Sequence, residues 1–246
     1  MTTEICAQQM DYRELNAKVR AAVAGGEREL VLSQVNGQRY LGVGLTQPVK
    51  LSIHGVAGND LAAFMDGPTL EIWGNAQDGV GNTMNSGRVV IHGSAGDVLG
   101  YGMRGGRILV RGDVGYRVGI HMKSFKRQVP TIVVGGSAGD FLGEYMAGGV
   151  LVVLNLWKEE KEPVGRWTGT GMHGGAIYLR GGSVSPDRLG REVLAAPAGE
   201  EDQPVLFPLL DDFATTFGLE AEELRRQPFQ RLTPTSHRPY GNLYAY

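Results

Sequence analysis

The amino-acid sequence predicts an all-β protein, a single-stranded parallel β-helix of right hand, on three observations. The 246 residues include 38 glycines, about twice the average usage. The glycines recur in a repeat whose first units begin at Leu51, Leu70, Val89 and Ile108, each 19 residues after the last. Within each unit the apolar residues stand at even positions, so in an extended chain they share one face. A unit cannot bury that face alone, and we expect successive coils to stack.

Each unit has the same order of side chains. Counting the opening residue as position 0, aliphatic residues occupy positions 0, 2 and 10, a small or β-branched residue position 6, and methionine position 14. Methionine suits an irregular interior corner, and glycine suits bends that need positive φ or close backbone approach. The right hand follows from the usual handedness of parallel crossover connections. The repeated methionines are Met65, Met84, Met103, Met122 and Met146.

Two later units carry insertions. The fifth unit opens at Ile132, 24 residues after Ile108, which places an insertion at 123–130. The sixth opens at Leu151, carries a longer insertion at 157–168, and has Met172 as its methionine. Insertions in a solenoid form loops on its surface that often bind partners, so both segments are candidate contacts.

The chain divides into three predicted parts: a small N-terminal α/β cap at 1–48, the β-helix at 49–184, and a C-terminal part at 185–246. In the cap, Asp11 and Glu14 have the spacing of a capping box, which starts a helix that ends at Gly25-Gly26.

A hairpin completes the predicted cap. Asn36-Gly37 predicts a tight turn between a strand at 30–32 and a return strand at 40–45. In the C-terminal part we expect short helices at 208–217 and 219–226. The aromatic, proline-rich tail at 229–246 is expected to run along a surface of this chain or of a partner.

Composition excludes several functional classes. The net charge of -2 and the lack of a basic stripe argue against a nucleic-acid partner. The single cysteine, Cys6, can form neither an internal disulfide nor a zinc or iron–sulfur set. No signal peptide is evident, and no apolar run approaches the roughly 20 residues that span a bilayer. We expect a cytoplasmic protein with no membrane segment.

Two sets of polar residues could carry chemistry. His54 and His92 share an outward position two coils apart, with Trp73 between them; at roughly 10 Å they cannot share a metal, and we expect them to be exposed surface residues. Asn59, Asp78, Asp97 and Asp140 form a ladder after the second glycine of their units.

The polar ladder is predicted to consist of turn residues that hydrogen-bond to their own backbone. Calcium binding is the first alternative, although the nine-residue GGxGxD roll is absent. A carbohydrate-active groove is the second, although no Arg or Lys is paired with these carboxylates. The segment at 93–96 opens no helix and lacks the GK[ST] of a phosphate loop. No catalytic, cofactor-binding or metal-binding residue is therefore assigned in this chain.

The repeat itself resembles a known family. The pattern G-x-A-G-D-x-L-G-x-x-M-x-G-G, carried most fully at 93–106 and 136–149, resembles the GXGXG domain at the C-terminal end of the glutamate synthase large subunit. The resemblance extends over 10–246 to the free-standing archaeal-type subunit, through the stretches 36–42, 171–175 and 236–240. The fold is also similar to that of the β-helical subunit of formylmethanofuran dehydrogenase and of the related formyltransferase/hydrolase complex.

The resemblance implies a structural subunit that is not catalytic alone. In a glutamate-synthase-like oxidoreductase complex, it would hold the glutaminase and flavin/iron–sulfur subunits together, in glutamate biosynthesis and nitrogen metabolism. FMN and iron–sulfur clusters are expected in those partners and no cofactor in this chain. The glutaminase nucleophile of the family is an N-terminal cysteine, and Cys6 does not match it. Residues Gln77, Ser124 and Asn155 replace glycines of the repeat, which leaves the local coil shape open.

Two other functions remain open. The chain could instead be the scaffold subunit of a formylmethanofuran dehydrogenase or formyltransferase/hydrolase complex. It could also be a free-standing carbohydrate-active β-helix enzyme, in which Asp97 or Asp140 would act. A homo-oligomer stays compatible with each reading.

Overall fold

A computed structural model of the protein describes residues 2–157, 161–181 and 184–237. The helices are α1 (Tyr12–Ala24), α2 (Gln203–Phe217) and α3 (Ala221–Arg226). The strands are β1 (Thr3–Cys6), β2 (Glu29–Asn36), β3 (Lys50–Val56), β4 (Asp66–Trp73), β5 (Ser86–Ile91), β6 (Arg107–Val110), β7 (Thr131–Val134), β8 (Ala147–Val153), β9 (Gly174–Arg180), β10 (Val193–Pro197) and β11 (Phe229–Pro234).

All eleven strands belong to one sheet, in the order β1 to β9, then β11 and β10. Strands β1 to β9 run parallel, each beside the next in sequence, whereas β11 lies antiparallel between β9 and β10. This is the predicted parallel β-solenoid. The opening residues of the units pair in register, as predicted: Leu51 with Leu70, Leu70 with Val89, Val89 with Ile108, Ile108 with Ile132, Ile132 with Leu151, and Leu151 with Ile177.

The interior of the solenoid is filled by the even-numbered positions of each unit. In the first unit Leu51, Ile53, Ala57, Leu61 and Met65 are all fully buried. Burying an aliphatic side chain of the larger kind contributes about 1.5–3 kcal/mol, and the unit presents several of them to both neighbours. The methionine ladder is completely buried from the first unit to the sixth: Met65, Met84, Met103, Met122, Met146 and Met172.

The turn of each coil uses left-handed backbone at three alternating positions. Positions 9, 11 and 13 all have positive φ, in every unit from the first to the sixth. Position 9 is Asp60, Gly79, Val98, Arg117, Phe141 and Trp167; position 11 is Ala62, Gly81, Gly100, Gly119, Gly143 and Gly169; position 13 is Phe64, Thr83, Gly102, His121, Tyr145 and Gly171.

The alternation ties each coil to both of its neighbours. In the third unit, the amide of Val98 donates to the carbonyl of Tyr116 in the next coil at 2.8 Å, and that of Gly102 donates to Ile120 at 2.8 Å. Between them, Gly100 donates backwards to Val80 at 2.7 Å. The turn therefore satisfies its backbone donors without forming a regular strand.

One prediction for the N-terminal end, the hairpin at Asn36-Gly37, is wrong. Helix α1 begins after Asp11, whose carboxylate accepts from the amides of Arg13 and Glu14, and it ends at Gly25 as expected. The predicted hairpin does not form, because β2 pairs in parallel with β3, and the predicted return strand at 40–45 is replaced by a turn at 41–44. The amide of Gly37 donates to Val56 of the next coil at 2.7 Å, so Asn36-Gly37 makes a solenoid corner.

At the C-terminal end the two predicted helices are present, with α2 beginning earlier, at Gln203. The predicted tail begins with β11, formed by Phe229–Pro234, which pairs with β9 and so lies along the end of this chain's own sheet. This strand lies between β9 and β10 at the end of the sheet, and its buried residues, Phe229 and Leu232, are three apart and do not alternate. Residues 238–246 of the predicted tail lie outside the described residues.

Helix α2 covers part of the outer surface of the sheet. Position 1 of each unit points outward, and in the later strands it is apolar and buried: Leu109, Val133, Val152 and Tyr178. These residues pack against the buried face of α2, which includes Leu206, Leu209, Leu210, Phe213 and Ala214.

Two charged contacts fix this helix on the sheet. Near its start, Asp202 accepts from the Tyr178 hydroxyl at 2.8 Å and from Arg231 at 2.9 Å. Further along, Asp212 accepts from Arg88 at 2.7 and 2.8 Å and also from Arg107. Burial alone would raise the pKa of Asp212, but the hydrogen bonds from both arginines outweigh it and hold that pKa below its usual value.

We expect Asp212→Asn to lower the free energy of unfolding by about 1–3 kcal/mol at pH 7, because two guanidinium groups lose their carboxylate. A lowered folded-state pKa contributes stability above the usual Asp pKa of about 4, and that stability is lost as the pH falls through the folded value. Urea unfolding of the wild type and of Asp212→Asn should therefore give a difference in the free energy of unfolding at pH 7 that becomes smaller below about pH 4. Glu222→Gln, in an exposed pair with Arg225, is the control. An equal difference at both pH values would contradict a stabilising role for the ion pairs of Asp212 with Arg88 and Arg107.

We expect Gly100→Ala to cost about 2–4 kcal/mol, since its Cβ would lie 2.4 Å from Ile132 Cδ1 and its φ is +72°. Gly44→Ala is the matched control: φ is +62° there, but no atom lies within 4 Å of the added Cβ. Ile132→Val removes the clashing methyl, so the double variant should lose less stability than the sum of the single losses. Additive losses in urea unfolding would contradict this packing.

Candidate interaction surfaces

The described residues contain no group of three or more His, Cys, Asp and Glu side chains that could hold a metal ion. Within the same ranges, no helix is long and apolar enough to cross a membrane. Because the interior is packed with aliphatic side chains and methionine, candidate sites among the described residues lie on the outer surface.

The polar ladder has a structural role that differs from the predicted one. Each carboxylate accepts from a backbone amide of the next coil and not from its own turn. Asp78 Oδ1 accepts from the Asp97 amide at 2.8 Å, Asp97 Oδ1 accepts from Tyr116 at 2.8 Å, and Asp140 Oδ1 accepts from Arg166 at 2.8 Å. These bonds engage the carboxylates and lend no support to a calcium site or a sugar-cleaving groove.

The two outward histidines form part of one aromatic stack. Trp73 lies between them, with its ring centroid 3.8 Å from His92 and 6.2 Å from His54. His54 is exposed as expected, but His92 is partly buried: Phe217 of α2 meets it edge-on, and its Nε2 lies 3.1 Å from Glu71 Oε1. The tryptophan ring separates the two histidines, so the stack is a surface feature and not a paired-histidine site.

A groove lies beside this stack, where α2 stops covering the sheet. Its volume is about 550 Å³, and it is open to solvent. In its lining, Lys50 Nζ lies 3.5 Å from Glu71 Oε2, so the groove carries a pair of opposite charges. The other lining residues are Arg28, Glu29, Pro48, Val49, Gly67, Thr69, Arg88, Val90 and Thr216.

A second set of exposed and partly exposed rings lies on the turn side of the later coils. We call it the aromatic face; it comprises Tyr101, Tyr116, His121, Phe141, Tyr145 and Trp167. Phe141 and Trp167 stack at 4.8 Å between centroids, and His121 and Tyr145 stack at 5.4 Å. The guanidinium carbon of Arg117 lies 4.6 Å from the Phe141 centroid, and its Nε lies 3.0 Å from Glu144.

The two insertions form loops of different size. The first, at 123–130, contains a tight turn in which Phe125 and Gln128 exchange backbone hydrogen bonds, and it exposes Phe125 and Val129. The second, at 157–168, is shorter than predicted, because Val164 already rejoins the coil by bridging to Ala138. Residues 158–160 of that insertion lie outside the described residues.

Sequence reasoning alone does not identify the aromatic face, although a signal for it is present. Position 9 is bulky in the fourth to sixth units and position 13 is bulky in the fourth and fifth, whereas Gly79 and Gly102 occupy these positions in earlier units. The alternation of even and odd positions predicts only that some of these side chains face outward. Their clustering becomes visible only when the turn geometry brings positions 8, 9, 12 and 13 of neighbouring coils onto one surface.

The fold and these surfaces define a parallel β-solenoid whose accessible features are aromatic stacks, a shallow groove and a covering helix layer. The chain belongs to the GXGXG motif family, whose model matches residues 4–225. It is 44% identical to an uncharacterised protein of Methanocaldococcus jannaschii, over 98% of this chain and 95% of that protein.

The fold is also similar to a solved structure. A chain in the crystal structure of the formyltransferase/hydrolase complex from Methylorubrum extorquens, determined with methylofuran, superimposes with a TM-score of 0.62. The match covers 94% of each chain at 18% sequence identity, and it therefore shows a shared fold.

We expect Asp97→Ala to accelerate amide hydrogen exchange at Tyr116, because that amide loses its acceptor in the preceding coil. The loss of stability should be about 0.5–1.5 kcal/mol, the net value of one hydrogen bond. Asp97→Asn keeps an oxygen acceptor and is the matched control. Unchanged exchange at Tyr116 in the alanine variant would show that the ladder does not support the turn.

Proposed function

We propose that this chain is a non-catalytic structural subunit of a complex of the formyltransferase/hydrolase kind, which contains several different subunits. The observation that carries the proposal is the likeness over 94% of both chains to a component of such a complex. Because the likeness covers the whole solenoid and not one unit, it favours a common architectural role. An interior filled by side chains is consistent with this role, since it leaves the outer surface for binding other subunits.

A structural subunit needs rigid surfaces that are held apart at a fixed distance. The solenoid provides them, because successive coils are hydrogen-bonded to each other both along the strands and at the turns. Helix α2, clamped through Asp202 and Asp212, adds a second layer on one side. Formyl-group chemistry would then reside in partner subunits, and this chain would position them.

A second candidate complex is a glutamate-synthase-like oxidoreductase, which the repeat motifs at 93–106 and 136–149 favour. In that case a glutaminase and a flavin/iron–sulfur protein would be the partners, with FMN and the clusters bound there. Both candidates assign the same structural role to this chain, and they differ in the partners that it holds.

The test is to tag the chain in its native cells, isolate it under mild conditions and identify what is recovered in stoichiometric amounts. We expect formyltransferase or related subunits, because a stable interface between subunits buries about 1,200–2,000 Å² and survives purification. Recovery of a glutaminase and a flavin/iron–sulfur protein would move the chain to the second complex. Recovery of the chain alone, at both low and high salt, would contradict the structural-subunit proposal. A tagged cytoplasmic protein of similar size is the control for adventitious recovery.

A further inference from the structure

The first insertion is a hairpin with a basic tip. Phe125 and Gln128 exchange backbone hydrogen bonds at 2.9 and 3.0 Å, which places Lys126 and Arg127 in the two-residue loop between them. Both of these cations are exposed. We call residues 123–130 the basic hairpin. The extra residues of the fourth coil therefore present two positive charges on the surface of the solenoid.

The two adjoining coils hold the basic hairpin at its base. At Gly105, in the preceding coil, an added Cβ would lie 3.2 Å from the Cβ of Gln128. At Gly148, in the following coil, an added Cβ would lie 2.5 Å from the amide nitrogen of Ser124. Glycine at both positions lets the hairpin pack directly against backbone on either side. A segment that is already held in this way loses little conformational entropy when a partner binds it.

The corner of the solenoid around the hairpin is positively charged, although the whole chain has a net charge of -2. This corner consists of positions 15 to 17 of successive coils, which are joined by backbone bonds such as that from Lys123 to Met103 at 3.0 Å. From the second coil to the sixth, these positions and the hairpin contain no carboxylate. They contain four cations that form no ion pair with any residue in the described part of the chain: Arg104, Lys123, Lys126 and Arg127.

Carboxylates at adjoining positions do not cancel this charge. Asp212 lies between two cations, Arg88 and Arg107, so that cluster is itself positive. Glu144, in the turn of the fifth coil, is matched by Arg117.

Two further carboxylates lie toward the ends of the corner and keep their negative charge. Asp66 accepts from the hydroxyl of Ser86 and lies two coils before Arg104, and Glu192 contacts the sixth coil, two beyond that of Lys123. Two coils correspond to roughly 10 Å, which is about one Debye length at 0.1 M salt. The middle of the corner, where the hairpin projects, is therefore positive.

Two apolar side chains flank the basic tip, and their order along the hairpin indicates the kind of partner. Phe125 and Val129 are each 50% exposed, and they lie behind the cations of the loop. A segment that enters a lipid layer has the reverse order, because its apolar side chains reach the acyl region while Lys and Arg stay at the headgroups. The order in this hairpin fits a protein groove with an acidic floor and apolar walls.

We propose that the basic hairpin inserts into an acidic groove of a partner subunit. The inference rests on the proposed function and deepens it by assigning the surface that holds the partner. Lys126 and Arg127 meet carboxylates on the floor of the groove, and Phe125 and Val129 contact its walls. Lys123 at the base adds to the electrostatic attraction that brings the two proteins together.

The charge is tested with the full chain and the partner subunit recovered in the isolation described above, both purified. The double variant Lys126→Gln/Arg127→Gln should bind about 10-fold more weakly than the wild type at about 0.05 M salt, and within about threefold of it at about 0.5 M salt. Arg191→Gln/Arg226→Gln is the matched control, because it removes the same charge from exposed positions elsewhere. Equal losses in the two double variants would show an effect of overall charge and would overturn the proposal.

The apolar contact is tested by Phe125→Ala, which should raise the dissociation constant by at least about 10-fold at both salt concentrations. Phe64→Ala is the matched control, since Phe64 is 55% exposed in the first coil; its affinity should stay within about threefold. Phe125 lies outside the buried interior, so urea unfolding of Phe125→Ala should match that of the wild type.

The acidic nature of the groove is tested by coupling with a carbodiimide, which joins a lysine amine directly to a carboxylate. In the complex, Lys123 and Lys126 should be joined to Asp or Glu residues of the partner, whereas the exposed Lys18 should not. Coupling of the partner through Lys18 and not through the hairpin would overturn the assignment.

The outcomes separate this proposal from the proposed function. A partner that binds the hairpin variants as tightly as their controls would overturn the docking site and leave the structural-subunit function intact. Recovery of no partner by the wild-type chain would overturn both. Binding of the purified chain to vesicles of phosphatidylcholine and phosphatidylserine, lost in Lys126→Gln/Arg127→Gln, would assign the hairpin to a membrane surface and overturn the protein groove.

Discussion

The fold depends on one constraint: each coil must return its backbone to the same register after 19 residues, so that every strand meets an equivalent neighbour. The turn achieves this by placing residues of positive φ at every second position, so that amides such as those of Val98 and Gly100 point to opposite neighbours. Where a coil contains extra residues, they form a surface loop, as in the turn at Phe125 and Gln128. The pairing of Ile108 with Ile132 therefore keeps its register. The glycine content follows from this geometry, since Gly100 has no room for a methyl group beside Ile132.

The outer surface is less constrained than the interior, and it varies from coil to coil. Position 1 changes from Ser52 and Glu71 in the early strands to Leu109, Val133 and Val152 in the later ones. The C-terminal helices cover the apolar part, while the polar part stays open beside the groove. On the turn side the same variation produces the aromatic face. The core therefore repeats from coil to coil, whereas each surface feature occurs at one place on the solenoid.

The interior of the protein is predictable from sequence because it is periodic. The spacing of Leu51, Leu70 and Val89 specifies the register, and the methionine column follows from it. The remaining features depend on contacts between distant segments, which periodicity does not encode. Asn36-Gly37 is a local signal for a hairpin, but the parallel pairing of β2 with β3 overrides it. The position of Asp97 after a glycine predicts a bond within its own turn, whereas its carboxylate reaches the next coil.

Both ends of the stack are closed, by α1 and β1 at one end and by the antiparallel strands β11 and β10 at the other. The length of the solenoid is consequently set by its number of coils. Adding or deleting one whole repeat would displace one end from the other by a single strand separation, about 4.8 Å, without altering either closure. In a protein built in this way, the distance between attachment points at the two ends changes only in steps of one coil.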